Sequence, residues 1–274
     1  DWRDIAGKEK EVMILLNKRD ARFFDPYSIN IETGELKVLF QNDKNYDSWF
    51  TDHTGIIRIA GKTDGVNTTY YQRATEAASF DSFLTTTYKD QFNIQFFTFD
   101  NKNIYVSSNI SRDKSTIVEY DLAARKEVKE IYSNPEYDVD GLGYSEKRKV
   151  LTMAYYTSWK RENHYLDKET EAEYKKMQEK FKGYEIGIYG NNIAEDKFVV
   201  WTGNDKVAAK YYFYDKKTGE TKFLADAFPW LKEEHMATMK PVQYKSRDGL
   251  TIHGYLTLPK GTEAKDLPVV INPH

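Results

Sequence analysis

The residue types that carry chemistry are sparse in this chain and poorly spaced for it. Acyl transfer by a serine needs that serine on a strained strand-to-helix elbow, Gly-x-Ser-x-Gly, with a His base and an Asp to orient it. The chain holds no such string, and the nearest, Gly141-Leu142-Gly143-Tyr144-Ser145, does not fit it. His53, His164, His235 and His253 share no metal-ligand spacing, so scattered packing or surface roles are expected for them. Cys is absent, which removes thiolate metal sites, Cys nucleophiles and disulfides. Asp138 and Asp140 flank Val139 in an acidic doublet; beside Gly141 a turn role is favoured over cation binding. Gly183, Gly187 and Gly190 miss the Gly-x-Gly-x-x-Gly spacing of a dinucleotide loop. The 43 Asp and Glu residues make carboxylate pairs for glycoside hydrolysis plentiful and therefore uninformative. No metal and no cofactor are expected.

Composition narrows the classes further. The 274 residues suffice for a large core in one or two domains. With 40% hydrophobic and 30% charged residues, wholesale disorder is excluded. Aromatics reach 15%, led by 21 Tyr, which favours β structure. A net charge of −3 gives no basic excess for phosphates, so no nucleic-acid partner is expected. No apolar run is long enough to cross a bilayer, so no membrane partner is expected either, and a soluble protein of cytoplasm or periplasm fits. The opening Asp1-Trp2-Arg3-Asp4 reads as a cut boundary.

The elements that must position any site show themselves as a repeated hairpin. Tyr27, Ile29 and Ile31 alternate with polar residues, turn through Thr33-Gly34-Glu35, and return as Leu36, Val38 and Phe40. The pattern recurs at Val118, Tyr120 and Leu122, turning at Ala124-Arg125-Lys126 into Val128 and Ile131. It recurs again at Tyr211 to Tyr214, turning at Thr218-Gly219-Glu220 into Phe223-Leu224. The turns at Gly34, Arg125 and Gly219 lie 91 and 94 residues apart. A weaker copy, Tyr70 to Arg73 and then Phe80 to Thr86, halves the first gap. The period is therefore about 46 residues, the length of a propeller blade. About five blade-like units fit between Glu11 and Phe228, and blades stack because none buries both its faces alone.

Two stretches break the repeat. Residues 162–181 place Leu166, Tyr174, Met177 and Phe181 at helical spacing, with Glu171 and Lys175 as an i,i+4 pair and Gly183 near the end. This predicts a helical insertion over about 162–182, a solvated amphipathic helix on the propeller edge. Beyond Pro229, Val242 and Tyr244 lead through Ser246-Arg247-Asp248-Gly249 to Ile252, Gly254, Leu256 and Leu258, a hairpin. Leu267 to Ile271 then forms a short β-branched run, expected as a strand buried on both faces. Trp49, Trp159 and Trp201 are expected to pack on strands.

The stretch from Met239 to Pro259, and Leu267-Pro268-Val269-Val270-Ile271-Asn272-Pro273-His274, resembles the entry into the catalytic domain of S9-type serine peptidases, the prolyl oligopeptidase family. The acylaminoacyl-peptidase and dipeptidyl-aminopeptidase branch of bacteria is the nearest in pattern. Tyr137 to Ser145, Tyr212 to Leu224 and Phe228 to Leu231 resemble the propellers of the same family. The resemblance implies a mainly β fold: a partial β-propeller over residues 1–236, about five blades of a larger ring, followed over 237–274 by the first strands of an α/β-hydrolase domain. It implies truncation at both ends, short peptides as substrate, and a Ser, Asp and His lying beyond residue 274. His274 opens the loop that shapes the oxyanion hole in the family, and no catalytic residue falls within the chain. A homo-oligomer is compatible with this. Two alternatives remain: a stand-alone propeller that binds or scaffolds, which leaves the hairpin after Met239 unexplained, and a propeller glycosidase.

Overall fold

The computed structural model describes residues 2–5 and 7–273. Six antiparallel sheets follow one another along the chain. The first holds β1 (Trp2–Asp4), β2 (Glu11–Asp20), β3 (Phe23–Asn30) and β4 (Leu36–Val38). The second holds β5 (Ser48–Thr51), β6 (Ile57–Thr63), β7 (Thr68–Gln72) and β8 (Asp81–Thr86). The third holds β9 (Phe92–Phe97), β10 (Asn103–Ser108), β11 (Thr116–Asp121) and β12 (Lys126–Tyr132). The fourth has three strands, β13 (Val139–Ser145), β14 (Val150–Thr157) and β15 (Arg161–Tyr165), after which the chain enters helix α1 (Lys168–Lys180). The fifth is β16 (Glu185–Asn191), β17 (Lys197–Gly203), β18 (Lys210–Asp215) and β19 (Thr221–Asp226). A short 3-10 turn (Glu233–His235) leads to the sixth, the hairpin β20 (Met239–Lys245) and β21 (Thr251–Thr257). Within every sheet, neighbours in space are neighbours in sequence. Five blade-type sheets in series make the chain mainly β with β-propeller architecture.

The three hairpins read from the sequence are the outer strand pairs β3–β4, β11–β12 and β18–β19. Their turns share one chemistry. Asn30 Oδ1 accepts the N–H groups of Glu32 and Thr33 at 2.9 and 3.1 Å. Asp121 Oδ1 accepts those of Ala123 and Ala124 at 2.8 and 2.7 Å. Asp215 Oδ1 accepts those of Lys217 and Thr218 at 2.9 and 3.1 Å. Four residues after each of these side chains the backbone turns left-handed, at Gly34 (φ 74°), Arg125 (φ 55°) and Gly219 (φ 70°). An Asx side chain closes the turn and the left-handed residue returns the strand, so the repeat is local in origin.

The chain divides into two compact units, residues 1–143 with 153–164 and residues 144–152 with 165–274. In the first unit the sheets stack through apolar layers. Met13, Tyr46, Trp49, Ile57, Ala60 and Phe80 join the first sheet to the second. Ile59, Phe83, Phe92, Phe97, Ile104, Val106, Val118 and Tyr120 join the second to the third. Each large side chain buried in these layers contributes about 1.5–3 kcal/mol. Polar bonds set the register between sheets. Tyr70 donates its hydroxyl to Phe92 O and Gln72 its amide to Leu122 O, both at 2.8 Å. Ser107 Oγ donates to Val139 O at 2.6 Å. Burial holds the Tyr70 hydroxyl above its ordinary pKa.

In the second unit α1 lies against the fifth sheet. Asp167 caps it by accepting Thr170 N–H at 2.9 Å. Tyr174 and Met177 are buried, and Phe181 packs on Tyr212 at 4.8 Å between centroids. The expected helix began too early: residues 162–165 belong to β15, and the helix starts only after the cap at Asp167. Leu166 is therefore exposed rather than on the buried stripe. Leu267 to Ile271, expected as a strand buried on both faces, forms no ladder among the described residues. Val270 is 93% exposed, because nothing described lies beside it to complete a sheet.

Candidate functional site

The residues singled out for chemistry are dispersed. His53 lies in the loop after β5, its Nε2 2.8 Å from Phe97 O. His164 stacks on Tyr132 with ring centroids 4.0 Å apart. His235 sits in the 3-10 turn and His253 on β21 opposite Gln243. His274 lies outside the described residues. Among the described residues no group of three or more His, Asp or Glu is placed to hold a metal ion, and no helix is long and apolar enough to cross a membrane.

A turn is expected for the acidic doublet; instead Asp140 belongs to β13, the first strand of the fourth sheet, and Asp138 is the residue before it. Asp138 accepts Ser115 N–H at 2.7 Å, and Asp140 accepts the Thr157 hydroxyl at 2.9 Å. Gly141 follows on β13 because the hydroxyl end of Tyr155 occupies the space a side chain would need; a Cβ there would come within 2.2 Å of Tyr155 Oη. The Arg161 guanidinium covers the same ring at 3.9 Å. Gly187 serves the fifth sheet in the same way, under the indole of Trp201. Trp49 is strand packing, as expected, whereas Trp159 lies in the turn between β14 and β15.

The charged clusters fix structure. The buried carboxylate of Asp25 takes a bidentate bond from Arg19 at 2.8 and 3.0 Å and accepts Asn42 N–H at 2.7 Å, and these hold its pKa below the ordinary range. Asn42 in turn donates to Phe24 O and Tyr46 O, tying the first sheet to the loop that leads into β5. The Arg148 guanidinium beside Asp167 holds that carboxyl well below the usual carboxylate range, with help from Thr170. Tyr214 donates to Glu173 Oε1 at 2.6 Å in a buried pair; burial first and this bond second push the phenol up. None of these groups combines a nucleophile with a base.

What remains is the end of the second unit. β20 and β21 pair from Met239↔Thr257 to Lys245↔Thr251 across a turn with Gly249 at φ 86°. The hairpin is two-stranded, its side chains are largely exposed, and it is no blade. Polar bonds fasten it. Asp205 accepts Met239 N–H at 2.9 Å, and the Lys260 ammonium donates to Glu234 O. A cleft of 620 Å³ opens beside it, lined by residues of the 3-10 turn, the hairpin and Lys206. Sequence reasoning missed this cleft, because its residues come from three separate stretches.

No family model matches the chain. Dipeptidyl aminopeptidase BIII of Pseudoxanthomonas mexicana is 22% identical over 261 residues, 93% of this chain and 37% of that protein. A puromycin-hydrolyzing peptidase of Mycobacterium tuberculosis shares the fold with a TM-score of 0.58 at 13% identity, over 95% of this chain and 43% of that one. Prolyl oligopeptidase B of Galerina marginata does so with a TM-score of 0.55 at 13% identity, over 93% and 38%. The chain thus spans less than half the length of these proteins. The resemblance read from the C-terminal stretches and from parts of the propeller is thus matched over nearly the whole chain, in sequence by a dipeptidyl aminopeptidase and in fold by a prolyl oligopeptidase and a puromycin-hydrolyzing peptidase.

Proposed function

We propose that this chain is the non-catalytic, substrate-selecting propeller portion of a serine peptidase that hydrolyses short peptides. Residues 1–236 would form the selecting part and residues 237–274 the first strands of the hydrolase. The Ser, Asp and His would come from chain outside these residues. The observation that carries this reading is the sixth sheet. Five blade-type sheets precede it, yet it is a bare hairpin with its apolar side chains exposed, followed by the unpaired Val269 to Ile271. A hairpin of this kind needs further strands or a packed layer to be stable on its own. The absence of Gly-x-Ser-x-Gly from these residues agrees with it.

The test is to read the gene beyond codon 274 and express both forms. A fluorophosphonate reacts with an activated serine. Labelling of the longer product, with hydrolysis of short peptides and none by residues 1–274, is the expected result. Labelling of residues 1–274 would refute the absence of a nucleophile, and a stop codon after His274 would favour the stand-alone binding propeller instead.

A further inference from the structure

The cleft beside the terminal hairpin carries charge that its own walls do not neutralise. Its 620 Å³ falls within the range of small-molecule sites, about 300–1,000 Å³. Met236, Leu256 and Leu258 supply apolar side chains to its lining. Lys206, Lys240 and Lys260 line it together with Glu233 and Glu234. None of the three ammonium groups pairs with a carboxylate among the described residues. Lys260 is engaged by the Glu234 carbonyl, and the Glu233 carboxylate is met by the Tyr184 hydroxyl at 3.4 Å. Lys240 is exposed, whereas Lys206 is half-buried, and its place is fixed. Asn204 Oδ1 accepts the N–H groups of Lys206 and Val207 at 2.9 and 2.8 Å, and the neighbouring Asp205 accepts Met239 N–H. No acceptor on the protein meets the Lys206 ammonium among the described residues, so that charge is left to solvent or to a ligand. An anion reaching Lys206 supplies what the chain does not, and the apolar side chains of the lining reward a hydrocarbon attached to that anion.

We propose that this cleft binds a small amphipathic carboxylate, its head between Lys206 and Lys240 and its apolar body on Leu256 and Leu258. The proposal stands apart from the peptidase reading and survives its failure. Calorimetric titration of the 274-residue chain with decanoate tests it, with decanol and decyltrimethylammonium as neutral and cationic counterparts. Decanoate should bind saturably, one per chain, and more weakly as salt is raised. The Lys206→Gln/Lys240→Gln variant should bind at least tenfold more weakly, and Leu256→Gln should weaken binding as well. Lys18→Gln, exposed on β2, should leave it unchanged. Non-saturable uptake, equal binding of the cationic amphiphile, or full affinity in the double variant would overturn it.

Discussion

Asp167 joins two functions in one carboxylate, and a pair of substitutions separates them. It accepts Thr170 N–H at 2.9 Å and the Thr170 hydroxyl at 2.6 Å as the cap of α1, and it pairs with Arg148 at 2.7 Å. Loss of an N-cap costs about 1 kcal/mol. The ion pair, with side chains 27% and 19% exposed, adds roughly 0.5–1 kcal/mol after solvent screening. Asp167→Ala should therefore cost about 1.5–2 kcal/mol. Asp167→Asn keeps a competent cap and gives up only the charge, so it should cost about 0.5–1 kcal/mol. The pH dependence follows from the depressed pKa, whose largest cause is Arg148. A carboxyl depressed in the folded state stabilises fully above its unfolded value of 3.8, and that stabilisation is lost as pH falls through the lower folded value. Urea melts at pH 7 and at steps below pH 4, followed by ellipticity at 222 nm, read both effects. The gap between wild type and Asp167→Asn should close on acidification. Equal destabilisation by Ala and Asn at pH 7, or a gap that stays open in acid, would refute the division into cap and charge.

The other expectations are narrower. Gly141→Ala drives a Cβ to within 2.2 Å of Tyr155 Oη and should destabilise by about 1–3 kcal/mol in denaturant melts, with much of the loss recovered in the Gly141→Ala/Tyr155→Ala double variant. Tyr214→Phe leaves the 7%-exposed Glu173 without its phenol and should cost about 1–3 kcal/mol, measured the same way. Arg125→Gly gives the second hairpin turn the residue that the other two already have, and should stabilise by roughly 0.5–1 kcal/mol. Val270→Glu should raise the soluble yield of residues 1–274 without moving the melting transition, since that side chain touches no core; an unchanged yield counts against the exposed run as the aggregation site.

The helix and the hairpin end of the second unit bear on function in different ways. α1 follows a sheet of three strands where the other four blade-type sheets have four, and its buried face is held to the fifth sheet by Tyr214, Tyr212 and Lys216. A helix with a buried pair of this kind is a structural part of its blade. β19 and β20, by contrast, carry Phe223, Leu224, Met239, Val242 and Tyr244 in exposed positions. Exposed apolar side chains in that number, on both sides of these strands, are the kind of surface that a further packed layer covers, which is why the peptidase reading rests on this end of the chain.

How much of this was legible beforehand follows from how each strand is buried. The outer strands β4, β12 and β19 announced themselves through the turns of their hairpins, with Gly34 and Gly219 as punctuation, although none of the three holds a fully buried residue. Inner strands do not alternate. Ile104 to Ser108 on β10 is buried at every position, and a continuous run of that kind has no period by which to tell strand from helix. The Asx side chains at Asn30, Asp121 and Asp215 were a local signal present in the sequence, legible as turn chemistry once the spacing of four to the left-handed residue is noticed. The start of α1 was misplaced because Arg161 to Tyr165 carries helix-compatible residues, while ladder bonding to β14 decides their conformation. The cleft lay beyond any pattern. Lys206, Glu233, Lys240 and Leu256 have no common period; the turn held by Asn204, the bond from Met239 to Asp205, the bond from Lys260 to Glu234 O and the β20–β21 ladder bring them to one place. Local patterns carry the blades because blades are stabilised by near neighbours in sequence; a binding site assembled from distant segments leaves no such trace.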